Sequence, residues 1–246
     1  MSTAQTGGDG DGRAVPAAGG PGADLDALAS LADPLRRALY DYVAAQDHEV
    51  SRNEAAEAVG AQRQLAAFHL DRLVAAGLLA EERRKLSGRQ GPGSGRPAKV
   101  YRRAERQRTV QLPPRDYEAA AHLLAEAVER AGADAALHAA AREAGERRGA
   151  AAARERGGAG PASAAELLAA LAAMGYEPAD GSAAGAVRLR NCPFHTLAGA
   201  YPPLACGMNL ALLEGLVAGL GAEGVRPRLD PAPGRCCVVL SKNNED

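Results

Sequence analysis

The chain has 246 residues, enough for one large domain or two small ones with tails, and its net charge of −1 is close to neutral. Apolar residues supply 46% and aromatic residues only 3%, so any core must be built from Leu, Val and Ala, with helix favoured. No apolar run approaches the roughly 20 residues that span a bilayer. The Gly-, Ala- and Asp-rich start lacks the basic n-region and apolar h-region of a signal peptide. A cytoplasmic protein with no membrane partner is the expectation.

Residues 1–23 are low-complexity, lack large apolar groups and are expected to be a disordered tail. From Asp24, the spacing of Leu25, Leu28, Leu31, Leu35, Leu39 and Val43 predicts a short helix, a break near Asp33 and a second helix over 34–45. Ser51-Arg52-Asn53-Glu54 reads as a capping box opening a helix that ends at Gly60. Gln62–Ala76 follows as another helix, closed by Gly77, with Ala66, Leu70, Leu73 and Val74 as its buried stripe. A strand from Leu79 towards Leu86 and a second over Ala98–Arg103, anchored by Tyr101, flank a loop rich in Gly and Pro. The helix pair around the Gly60 turn has the form of a helix-turn-helix.

Charge sharpens that reading. Between Arg83 and Arg108, ten basic residues face only Glu105, a segment of +9 that leaves −10 for the rest of the chain. A neutral chain with one basic strip is charged for a polyanion. The second helix would enter the major groove, offering Gln62, Arg63, Gln64, Ala67 and Phe68, with His69 and Arg72 towards the backbone. Arg pairs with guanine, Gln with adenine, and apolar surface touches a thymine methyl. Arg83, Arg84, Lys85, Arg89, Arg96 and Lys99 of the hairpin would contact phosphates or the minor groove, adding affinity more than sequence choice. His69 reads equally well as a packed helix residue.

Leu31-Ala-Asp-Pro-Leu-Arg-Arg-Ala-Leu39, Phe68-His-Leu-Asp-Arg-Leu-Val-Ala-Ala-Gly-Leu-Leu79 and Gly95-Arg-Pro-Ala-Lys-Val-Tyr101 resemble the winged-helix regulators of the bacterial ArsR-like class. The resemblance covers about residues 25–105. It implies double-stranded DNA as partner and a homodimer on inverted repeats, for which the helical stretch 115–156 is the candidate contact. Gly145, Gly149 and Gly157-Gly158 suggest a break in that stretch and then a linker.

All four cysteines, Cys192, Cys206, Cys236 and Cys237, lie in the last quarter of the chain. Here a helix over 164–174, short strands, a helix over 203–220 and a hairpin over 225–240 predict an αββαββ domain. Cys192 sits in a sharp turn and Cys206 in the first turn of a helix, where a thiol is acidified. Cys236 and Cys237, as neighbours on a strand, are expected to face opposite ways, so that only one joins Cys192 and Cys206. His195 is an alternative ligand. Scattered cysteines are less typical of structural zinc, which favours paired knuckles, and are compatible with an iron–sulfur cluster. Zinc, a cluster and inert thiols beside an organic-effector pocket all remain open on chemistry alone.

Cys192-Pro-Phe-His195, Cys206-Gly-Met-Asn209 and Arg235-Cys-Cys-Val238 are similar to the sensor domain of SufR-like iron–sulfur-cluster-binding repressors. That resemblance implies a [4Fe–4S] cluster on Cys192, Cys206 and one of Cys236 and Cys237, with the holo protein repressing. The chain departs from the family by a residue or two in spacing, and its doubled cysteine leaves the third ligand ambiguous. A catalytic Cys192–His195 pair is not expected, since no oxyanion donors, orienting third group or substrate loop are evident. The expected architecture is mainly α: a winged helix-turn-helix over 24–108, a helical linker or dimerisation region over 109–158, and a small α+β sensor domain over 163–241.

Overall fold

The computed structural model describes residues 21–84, 97–157, 160–181, 186–232 and 234–242. The fold is mainly helical with two small antiparallel sheets. The chain divides after Arg115 into two compact units.

In the first unit, α1 (Pro21–Ser30) and α2 (Pro34–Ala44) are separated at Asp33, whose side chain caps α2 by accepting from the Arg36 amide at 2.8 Å. A two-residue strand β1 (Val50–Ser51), unforeseen in the sequence, leads directly into α3 (Arg52–Ala58). Ser51 caps that helix in a full capping box with Glu54. α4 (Arg63–Ala75) follows, then β2 (Leu79–Arg84) and β3 (Ala98–Arg103), which pair antiparallel from Leu79–Arg103 to Arg84–Ala98. β1 joins the other edge of β3, giving the order β1-β3-β2. Leu39, Val43, Val50, Ala66, Leu70, Leu73 and Tyr101 form the core between helices and sheet. Residues 85–96, which include Lys85, Arg89 and Arg96, lie outside the described residues, as does most of the N-terminal tail.

In the second unit, α5 (Tyr117–Ala131) and α6 (Asp134–Arg156) are separated at Gly132, which adopts φ +60°. The helical stretch therefore breaks there and not at Gly145 or Gly149. Those two glycines are buried inside α6, because α6 runs against α9 (Pro202–Leu220) at backbone contact distance. A Cβ on Gly145 would overlap the Leu212 carbonyl oxygen, and one on Gly215 the Arg142 carbonyl oxygen. The residues expected to form a linker thus divide: 109–115 belong to the first unit, and α5 and α6 to the second.

The rest of that unit consists of α7 (Ala164–Ala173), β4 (Pro178–Gly181), β5 (Ala186–Leu189), α8 (His195–Ala200), α9, β6 (Val225–Leu229) and β7 (Val238–Lys242). The sheet order is β4-β5-β7-β6, with β6 and β7 antiparallel from Val225–Lys242 to Leu229–Val238. Leu167, Leu171, Leu189, Leu213, Leu216, Val238 and Leu240 close the core beneath α7 and α9. By length and composition alone, α9 is apolar enough to cross a membrane, which corrects the expectation that no apolar run approaches that length, although Asn209 and Glu214 interrupt it. In this fold one flank of α9 lies on the sheet and another on α6.

Candidate nucleic-acid interface and thiol cluster

Two groups of side chains stand out, one in each unit. The first lies where α3, α4 and β3 meet. Asp71, on the outer face of α4, accepts from Arg52 Nη2 at 2.8 and 3.0 Å, from Lys99 Nζ at 3.1 Å and from the Tyr101 hydroxyl at 3.3 Å. Arg52 Nε also donates to the Tyr101 oxygen at 2.7 Å, and Lys99 Nζ to Glu81 at 2.6 Å. Partial burial opposes ionisation of Asp71, but hydrogen bonds from Lys99 and Arg52 prevail and hold its carboxyl below the ordinary range. The pair Lys99–Glu81 in turn holds the Lys99 ammonium above its usual value.

Beside this network lies an open cleft of about 270 Å³ lined by Ser51, Arg52, Asn53, Arg63, Arg83 and Lys99, among others. Arg52 and Lys99 are engaged with Asp71. Arg63 and Arg83 have no acidic partner among the described residues, so the mouth of the cleft keeps net positive charge. The contribution of Arg52 and Asn53 was missed in the sequence. Their position just after a capping serine was its only signal, and that was read as purely structural.

The structure sorts the residues expected to face DNA. Gln62 caps α4 with its backbone only, and Gln62, Arg63, Gln64, Phe68 and Arg72 are exposed on it, while Ala67 is half-buried. His69 is not on that face: it is 7% exposed, and its Nδ1 accepts from Arg36 Nε at 3.4 Å. It joins Ala66, Leu70 and Leu73 in the buried stripe, whereas Val74, expected there, is only half-buried. Of the hairpin cations, Arg83 projects outward, Arg84 pairs with Glu49 at 2.9 Å, and Lys99 is turned to Asp71 and Glu81. Arg106 and Arg108 both reach Asp24, at 3.3 and 2.6 Å. Much of the basic strip is thus neutralised by carboxylates distant in sequence, which a running charge count cannot see.

The second group contains all four cysteines, none in a disulfide. Cys236 is buried, and the thiols of Cys192 and Cys237 both lean on its sulfur; Cys237 also meets Cys206. The expectation that Cys236 and Cys237 face opposite ways is corrected: β7 begins only at Val238, so both cysteines lie in the bend before it and strand alternation does not govern them. Cys206 is the fifth residue of α9, one turn past its start. His195 is exposed at the start of α8.

Asn209, which closes the Cys206-Gly-Met-Asn209 motif but was assigned no role, and Tyr176, not singled out in the sequence, complete the cluster. The Tyr176 hydroxyl donates to Asn209 Oδ1, which orients the amide so that Nδ2 donates to Cys236 Sγ at 3.2 Å. The Val238 amide approaches the same sulfur at 3.5 Å. Hydrogen bonds from Cys192 and Cys237, helped by Asn209 and Val238 against the cost of burial, draw the Cys236 thiol far below its usual range. The partner thiols shift the opposite way: contact with Cys236 and burial push Cys192 and Cys237 up. Within the trio, thiolate character is thus favoured at Cys236 and disfavoured at Cys192 and Cys237. His138 of α6 packs its ring against Gly207, and its buried Nε2 has no hydrogen-bond partner among the described residues.

As donors, four soft sulfurs in one cluster, with Cys236 the most acidified of them, fit a thiophilic group. Among the described residues, no three His, Cys, Asp or Glu side chains are spaced as a finished shell for a metal ion. Comparison with protein-family models, with curated proteins and with solved structures found no match.

Proposed function

We propose that the chain is a sequence-specific DNA-binding transcription regulator of winged-helix type, acting as a homodimeric repressor, whose C-terminal unit senses a ligand through its cysteines. The observation that carries the first half is the cleft where α3, α4 and the β2–β3 pair converge. It presents Arg63 and Arg83 with unspent charge beside a helix whose exposed face bears Gln64, Phe68 and Arg72. The helix order, the short turn before α4 and the three-stranded sheet support the winged-helix reading. A gel-retardation experiment with the promoter fragment of its own gene tests it: a shift that weakens with salt is expected, and no shift at low salt refutes it.

The ligand favoured for the second unit is a [4Fe–4S] cluster held by Cys192, Cys206 and Cys236, with Cys237 beside them. Bound there, it would supply a charge and a redox state to which DNA affinity can respond. Asn209 would keep its N–H on the Cys236 sulfur, and α9 would fix Cys206 relative to the sheet. Zinc on the same sulfurs is the second reading, favoured by the direct contact between neighbouring thiols. Anaerobic purification with iron, sulfide and zinc analysis decides: a colourless protein free of all three removes the metal reading and leaves an organic effector. Tyr117, Leu123 and Leu124 stand exposed along α5 and support its role as the dimer contact.

A further inference from the structure

On α4, Leu65 and Phe68 are 45% and 52% exposed, a large apolar surface on a helix whose opposite side supplies the core of the unit. Helical spacing of three and four places Leu65, Phe68 and Arg72 on one stripe. Phe68 is not free to swing away. Its ring meets the His69 ring edge-on at 5.3 Å between centroids, and the Arg72 guanidinium lies over it at 5.4 Å. His69 is itself buried and held by Arg36. An exposed aromatic fixed from both sides is a preformed contact surface, and the Arg72 guanidinium over it, with Arg63 exposed in the first turn of the same helix, suits a polyanionic partner.

In the major groove of a DNA duplex the base edges offer nitrogens, oxygens, amino groups and a single apolar group, the C5-methyl of a pyrimidine. We infer that Leu65 and Phe68 form a reader of C5-methylpyrimidines, so that operator choice rests on methyl burial at the steps they face. Arg72, occupied by the Phe68 ring, holds that ring in place and does not pair with guanine. The inference rests on the DNA-binding reading above and goes beyond it by naming what the helix recognises. Thymine carries the methyl in unmodified DNA, and 5-methylcytosine presents the same group.

The test uses the full-length protein and a duplex recovered by selection from a random pool. Each thymine is replaced singly by deoxyuridine, which removes the methyl and leaves the hydrogen-bonding edge intact. At one or two positions per half-site, uracil is expected to weaken binding about fourfold, the loss for one buried methyl. Phe68→Ala should bind thymine and uracil duplexes alike at one such position, and Leu65→Ala at the same or a neighbouring one. Both side chains are exposed, so the variants should keep the wild-type circular dichroism. In a second arm, 5-methylcytosine in place of cytosine at those steps in a T-to-C duplex should restore part of the lost affinity. Tight binding that uracil never weakens overturns the methyl reader while sparing DNA binding. A uracil effect that persists undiminished in both variants overturns the assignment to these residues. Failure to recover any bound duplex overturns both readings.

Discussion

Asp71 lies on the solvent side of α4, yet it is the point at which α3, α4 and β3 are tied together, through Arg52, Lys99 and Tyr101. Its folded-state carboxyl is more acidic than in the unfolded chain. The stability it contributes is therefore complete above the unfolded value near 4 and disappears as pH falls through the folded value. Asp71→Asn should lower the Tm at neutral pH, and the gap to wild type should shrink steadily below about pH 4. A gap that does not change between pH 7 and pH 3 would show that the carboxylate charge contributes nothing. Ser51 makes a simpler case: Ser51→Ala removes one side of a capping box and should cost about 1 kcal/mol in denaturant unfolding. At the same scale lie the residues the sequence concealed. Asn209 and Tyr176 are ordinary helix and loop residues by pattern, and only the fold brings them to the Cys236 sulfur.

α6 and α9 show why elements were more legible than their packing. The 3.6-residue periodicity and the capping signals located α2, α3, α4, α7 and α9 to within a residue or two. Glycine was ambiguous. At Gly132 it ends a helix in the left-handed region, whereas Gly145, Gly149, Gly215 and Gly219 sit within helices because two backbones touch there. No local rule separates these uses. Replacing Gly145 or Gly215 by Ala should cost about 1–3 kcal/mol through overpacking against a partner carbonyl. Gly199 in α8 provides the contrast, since a Cβ there meets nothing within 4 Å. Gly199→Ala should be neutral or stabilise by about 0.4–1 kcal/mol. Equal losses at Gly145 and Gly199, read from denaturant midpoints, would contradict the close α6–α9 contact. A similar ambiguity affected the last strand: counting Cys236 and Cys237 as strand neighbours put them on opposite faces, while the true start of β7 at Val238 frees both to join one cluster.

For the whole molecule, the run of positive charge was visible in the sequence but its distribution was not. Folding brings Glu49, Asp71, Glu81 and Asp24 to Arg84, Lys99 and Arg108, so among the described residues lining the cleft Arg63 and Arg83 keep charge free for a partner. If the proposed interface binds a duplex through that cleft, counterions are released and the affinity falls linearly with salt on a double-logarithmic scale. The most direct measurement is the salt dependence of duplex affinity by fluorescence anisotropy, for wild type, Arg63→Ala, Arg83→Ala and the double variant. Each single substitution is expected to reduce the slope by about 1 and the double by about 2, with little change in which sequence is preferred. Absence of binding at low salt, or a double variant with the wild-type slope, would contradict the proposed interface.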